Sequence, residues 1–149
     1  MSNGVIARLT YILETVSQAE VSREIGIPRS TLQYDVAHNI PIATEYQVQL
    51  RNLYQRTAYA NMREEGFSSY QARRFSWYSP ERVLINTGLM REKVLEFSIG
   101  QLSQAELKSG EVWSDKKRAE YLTSIEERVR EGLRKSKAPL EDILEQGIT

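Results

Sequence analysis

The chain has 149 residues, enough for one compact domain, or one domain with an appendage, and for a real buried core. Apolar residues make up 40% and charged residues 27%, an ordinary balance for a soluble globular protein, and no apolar run approaches the roughly 18 residues of a membrane span. Twenty basic side chains offset twenty acidic ones, which excludes a protein that coats nucleic acid by charge alone but allows a binder with a basic patch on one face. No cysteine is present and His38 is the single histidine, so disulfides, thiolate metal sites and a zinc site are not expected.

Almost everything reads as helix, and the expected fold class is all-α. Val5, Ile6, Leu9, Ile12, Leu13 and Val16 recur at three and four residues and form one apolar stripe. Ser17-Gln18-Ala19-Glu20 is a capping box that opens a short helix with Val21 and Ile25 inward. Gly26 ends it in the left-handed conformation, and Pro28 suits the first position of the next helix. That second helix is expected to run to about His38 with Leu32 and Val36 on the core side, and Asn39-Ile40-Pro41 breaks it.

Thr44 caps an expected helix over 45–64, carrying Tyr46, Leu50, Leu53, Tyr54 and Ala58 on one side and closed by Gly66. Ser68-Ser69-Tyr70-Gln71 is a second capping box, opening a short helix through Trp77. Ser79-Pro80-Glu81 starts a helix expected over 80–97, with Val83, Leu84, Leu89, Val94 and Phe97 as its apolar positions and Gly88 as a weak point. The texture changes after Gly100. Residues 101–149 hold nine basic and ten acidic groups. Within them, 115–135 reads as an amphipathic helix with the stripe Tyr121, Leu122, Ile125, Val129 and Leu133, and Leu140–Thr149 as a short helix or a tail. The expected division is therefore 1–100 and a charged helical region 101–149. Leu102-Ser-Gln-Ala-Glu-Leu107 echoes Val16-Ser-Gln-Ala-Glu-Val21 and reads as a recurring capping box.

The stretch Gln18–Val36, QAEVSREIGIPRSTLQYDV, has a mechanical meaning. Ser22 is small where two helices cross, and Gly26 makes the turn. Val21, Ile25, Ile27 and Leu32 hold the pair to the core, leaving the outer face of the second helix free. This stretch resembles the helix-turn-helix of the phage-repressor and Cro-like family over about residues 5–56, through Gln18, Gly26 and the opening Arg29-Ser30-Thr31-Leu32. The opening is also similar to that of resolvases and transposases. Asp35, where an apolar residue is usual, and Ser22, where alanine is common, depart from the pattern, and Val36 is placed to stand in for Asp35.

The resemblance implies a double-stranded DNA binder, sequence-specific, acting in transcriptional control or DNA maintenance of a phage or plasmid. The position of Gln18 implies a phosphate contact, and those of Arg29, Ser30, Gln33 and Tyr34 imply a DNA-facing surface. Arg23, Pro28, Thr31 and His38 complete the candidate set on the two helices. Arg73 and Arg74 join it as supplementary backbone contacts, because the 54–78 segment mixes arginine with seven of the thirteen aromatics. Phe67, Phe75 and Trp77 read instead as a small aromatic core, and His38 more simply as a solvated helix-end residue. The stripe Leu122, Ile125, Val129 and Leu133 fits a homodimer or packing back onto 80–97.

The alternative is a virion-associated or interaction scaffold that reuses the fold. A DNA binder would show Arg23, Arg29 and another arginine on the face carrying Gln33, whereas a scaffold would show these arginines scattered or paired with Glu20 and Glu24. No phosphate loop, metal-ligand spacing or nucleophile elbow is present, so neither enzyme activity nor a cofactor nor a metal is expected. The absence of a signal-peptide core between Met1 and Arg8 makes the cytoplasm, the host's if the protein is viral, the expected compartment.

Overall fold

The computed structural model describes residues 3–149, and the fold is all-α: the described residues form eight helices and no strand. None of these helices is long and apolar enough to cross a membrane. The chain divides into two compact units. One takes the chain up to Ala60 together with Phe75–Val83, and the other takes Asn61–Arg74 and Leu84–Thr149.

In the first unit, α1 (Asn3–Leu13) buries Leu9, Tyr11 and Ile12. The expected stripe is there, with Tyr11 added to it. α2 (Gln18–Ile25) is capped by Ser17, whose Oγ accepts the Glu20 backbone N–H at 3.1 Å. The capping box is only half closed, because the Glu20 carboxylate turns to Arg23 (2.7 Å). Gly26 ends α2 at φ 75°, the left-handed region where an L side chain is strained. α3 (Arg29–Ala37) begins one residue later than Pro28. The proline ring fixes φ but not ψ, which is extended at 135°, while the Pro28 carbonyl still accepts the first helical bond from Leu32 N–H (3.0 Å). Asn39 (φ 52°) leaves α3 left-handed, and the Ile40 N–H returns to the Asp35 carbonyl at 2.9 Å.

α4 (Thr44–Glu65) gives this unit Leu50, Leu53, Tyr54 and Ala58, all buried. The Phe75–Val83 segment is held to it by Gln55 Nε2 donating to Ser76 Oγ (2.9 Å) and by the Tyr54 hydroxyl donating to the Tyr78 carbonyl. Burial raises the Tyr54 phenol far above its ordinary value, the Tyr11 phenol adds to the shift, and Arg8 opposes it.

In the second unit, α4 stops at Gly66 (φ 114°). Arg134 covers that helix end, donating from Nε to the Arg63 carbonyl (2.7 Å) and from Nη2 to the Glu64 carbonyl (2.9 Å), a cation where the helix dipole is negative. The second capping box closes fully: Gln71 Oε1 accepts the Ser68 N–H (3.0 Å) and Ser68 Oγ accepts the Gln71 N–H (3.2 Å). It opens α5 (Ser69–Phe75), which stops two residues short of the expected Trp77.

α6 (Pro80–Ser109) is the largest departure from expectation. It runs unbroken through Gly88 and Gly100, so the helix expected over 80–97 continues twelve residues further. A glycine inside a helix costs only about 1 kcal/mol, and nothing else near 100 stops the chain. The second Ser-Gln-Ala-Glu word lies inside α6 and caps nothing. α7 (Asp115–Arg134) starts at Ser114, whose Oγ accepts the Lys117 N–H at 3.2 Å. α8 (Leu140–Gln146) is docked through buried Leu140 and Ile143, with the Ala138 carbonyl before it accepting from Gln71 Nε2 (3.1 Å).

Candidate nucleic-acid interface

The geometry of α2 and α3 follows from two small residues. Gly26 supplies the left-handed turn. Ser22, half-buried, does more than leave space: its Oγ donates to the Ile27 carbonyl at 2.6 Å and ties the end of the turn back to α2. Val21, Ile25, Ile27 and Leu32 are all buried, as their spacing requires. Leu32 is the one buried residue of α3. Asp35 and Val36 are both half-buried and line a recess of about 40 Å³ with Ile6, Leu9 and Leu13 of α1. The inner side of α3 is therefore shared between an apolar residue and a carboxylate, rather than handed from Asp35 to Val36.

The outer side of α3 carries Arg29, Ser30, Thr31, Gln33 and Tyr34, all exposed. Arg29 makes no hydrogen bond or ion pair among the described residues. No side chain caps the start of α3, so its first N–H groups face outward with the positive end of the helix dipole. Pro28 is exposed beside them, and Gln18 is half-buried at the start of α2. At the other end of α3, the His38 ring stacks on Tyr34 (centroids 4.1 Å, planes at 27°), with Nδ1 2.8 Å from the Tyr34 carbonyl oxygen. His38 is thus part of an exposed aromatic pair on the helix.

Two arginines on this side are engaged by carboxylates. Arg23 pairs with Glu20 at 2.7 Å, and Arg56, which sequence reasoning did not connect to this region, pairs with Glu24 at 3.2 Å. Both pairs are largely exposed, a setting in which an ion pair contributes only about 0–1 kcal/mol. Six arginines face six carboxylates in this unit, so it has no net positive charge to attract a polyanion over distance.

The chain matches no protein-family model, no curated protein and no solved structure.

The other candidate residues fall elsewhere. Arg73 and Arg74 are exposed on α5 and belong to the second unit, so the sequence-adjacent arginine–aromatic cluster is divided between units. Phe67 and Phe75 are buried as expected, but Trp77 is not: it is 46% exposed, with the Arg51 guanidinium 5.8 Å from its ring centroid. Val48, Arg51, Asn52 and Trp77 line an open groove that no sequence pattern marked, because it joins α4 to a segment 25 residues further along.

The stripe on α7 packs back rather than outward. Ile125 and Leu133 are buried inside their own unit, and Leu122 and Val129 are half-buried. Tyr121, Ile125 and Val129 share a recess with Phe97 and Gln101 of α6. Ile125 and Leu133 are thus committed to the chain's own core, and of these four only Leu122 and Val129 keep part of their surface exposed. On α6, Leu84 and Leu89, two of its apolar positions, are exposed. They stand one helical step, about 100°, from the buried line of Val83, Met90 and Val94.

Proposed function

We propose that the protein binds double-stranded DNA and reads its sequence through the outer face of α3. The observation that carries this reading is the state of Arg29. It stands exposed and unpartnered at the uncapped N-terminal end of a helix that buries only Leu32. An arginine beside outward-facing N–H groups is suited to phosphate and to the paired acceptors of guanine. Gln33, one turn along, suits the donor and acceptor pair of adenine. Ser30 and Thr31 add hydroxyls at the helix start, and Tyr34 with His38 an exposed stacked pair. Gln18, the Gly26 turn and the Arg29-Ser30-Thr31-Leu32 opening are the features on which the resemblance to the repressor and Cro-like helix-turn-helix rests. On that resemblance the role is transcriptional control or maintenance of a phage or plasmid, in the host cytoplasm.

With no net charge on the unit, affinity depends on local contacts. Exchange of the exposed Arg23–Glu20 pair for a phosphate is an inexpensive source of one. Selection of bound duplexes from a random pool with the purified full chain tests the reading. Enrichment of a common sequence, lost in Arg29→Ala and Gln33→Ala, supports it. Recovery of no duplex above background supports the second reading, an interaction scaffold. The engagement of Arg23 by Glu20 and of Arg56 by Glu24 is the observation that favours that alternative.

A further inference from the structure

Trp77 is an exposed ring on a rigid mount. Its two neighbours in the chain are tied to α4: Gln55 Nε2 donates to Ser76 Oγ (2.9 Å), and the Tyr54 hydroxyl donates to the Tyr78 carbonyl. The indole nevertheless stands 46% exposed beside Val48, Arg51 and Asn52, which share one face of α4 at a spacing of three and four residues. Together these side chains line an open groove of about 440 Å³. The Arg51 guanidinium lies 5.8 Å from the indole centroid. The next residue repeats the arrangement, with the Arg82 guanidinium 4.3 Å from the Tyr78 ring centroid. Among the described residues neither arginine meets a carboxylate, and the Asn52 side chain makes no hydrogen bond. Glu45 and Glu81, the carboxylates nearest to these arginines in sequence, line no part of the groove.

These groups fit a ligand that is flat on one part and anionic on another. We propose that the groove takes an unpaired nucleotide of a single nucleic-acid strand. The base stacks on Trp77 and packs against Val48, Asn52 pairs with the polar edge of the base, and Arg51 holds the adjoining phosphate. Stacking on an exposed aromatic ring beside arginine is a general means of holding single strands. A duplex keeps its bases stacked on one another and offers no free face to the indole, so the ligand differs from the one assigned to the outer face of α3. A peptide is the poorer fit. A helix or a proline-rich segment needs a row of apolar anchors or an aromatic-lined groove, and this groove has one ring and one aliphatic side chain. Guanidiniums without carboxylate partners select an anionic ligand over a neutral one.

The site needs no duplex, so its failure and failure of the duplex reading are separate results. The probe is a short oligodeoxythymidylate, which does not pair with itself, titrated at low salt into the full chain. Trp77 and Trp113 are the two tryptophans of the chain, so Trp113→Phe leaves Trp77 as the sole indole emitter. Saturable quenching of its fluorescence is expected. Anisotropy of a labelled strand is expected to show the dissociation constant raised about tenfold or more in Trp77→Ala. Trp77→Phe is expected to keep most of the affinity, with the helical circular-dichroism signal intact in both variants. Arg51→Ala is expected to weaken binding and to lower the slope of log K against log salt by about 0.7. Arg29→Ala and Gln33→Ala are expected to leave single-strand binding unchanged. An abasic strand of the same length is expected to bind about tenfold more weakly. Absence of binding at high micromolar protein overturns the proposal. So do equal affinity for the abasic strand, indifference to both Trp77→Ala and Arg51→Ala, and quenching of Trp77 by polyglutamate as strong as by the oligonucleotide.

Discussion

Ser22 and Ile27 are joined across the Gly26 turn by a 2.6 Å bond from the serine hydroxyl to the isoleucine carbonyl. The bond locks the angle at which α3 leaves α2, and with it the direction in which Arg29 and Gln33 point. Ser22→Ala forfeits a bond worth about 0.5–1.5 kcal/mol and recovers about 0.5 kcal/mol in helix propensity. A small loss of stability is expected. Gly26→Ala is expected to cost more, about 1–2 kcal/mol. That cost comes from the backbone alone, since the new Cβ would meet nothing within 4 Å. Urea denaturation of both variants checks the order; a neutral Gly26→Ala contradicts a left-handed turn.

Gln33→Ala and Leu32→Ala separate reading from folding. Gln33 is exposed, so its loss is expected to move stability by less than about 0.5 kcal/mol while relaxing preference at one or two base pairs at a cost of about 1–3 kcal/mol. Leu32 is fully buried. Its truncation is expected to cost about 2–5 kcal/mol of stability through the cavity left behind. Melting, together with binding to matched and mismatched duplexes, distinguishes the two. A folded Arg29→Ala, Gln33→Ala double variant with unaltered preference would remove α3 from the reading role.

Arg73 and Arg74 are expected to act on affinity without sequence preference. Replacing both with alanine should weaken binding to every duplex alike and lower the slope of log K against log salt by about 1 for each phosphate no longer neutralised. An unchanged slope in a salt titration means that α5 does not touch the duplex.

Alkaline pH is expected to unfold the first unit through Tyr54. Burial raises the folded-state pKa of its phenol. The stability tied to the neutral form is therefore fully present below the unfolded tyrosine value, about 10, and falls as pH rises beyond it. Tyr54→Phe is expected to flatten this alkaline loss while giving up the hydroxyl's bond to the Tyr78 carbonyl. Chemical denaturation across the alkaline range, with phenolate absorbance as the second signal, checks both parts.

Local chemistry made much of this protein legible from its residues. The helix starts at Ser17, Ser68 and Ser79 and the stops at Gly26 and Gly66 were readable, because caps and left-handed turns depend on one or two neighbouring side chains. The buried set around Val21, Ile25, Ile27 and Leu32 was readable from a period of 3.6. What the sequence could not determine is which apolar face a partner covers. α6 carries apolar residues on two sides at nearly equal density, so periodicity named Val83 and Val94 together with Leu84 and Leu89, and only packing separated them. The α7 stripe suited another chain or its own. Packing placed Ile125 and Leu133 inside the molecule and left the strip from Leu84 to Ile99 exposed. The charges obeyed the same division. Glu20 was placed to cap Ser17 and lies equally near Arg23, and which of the two it takes is decided by side-chain geometry in three dimensions rather than by spacing along the chain.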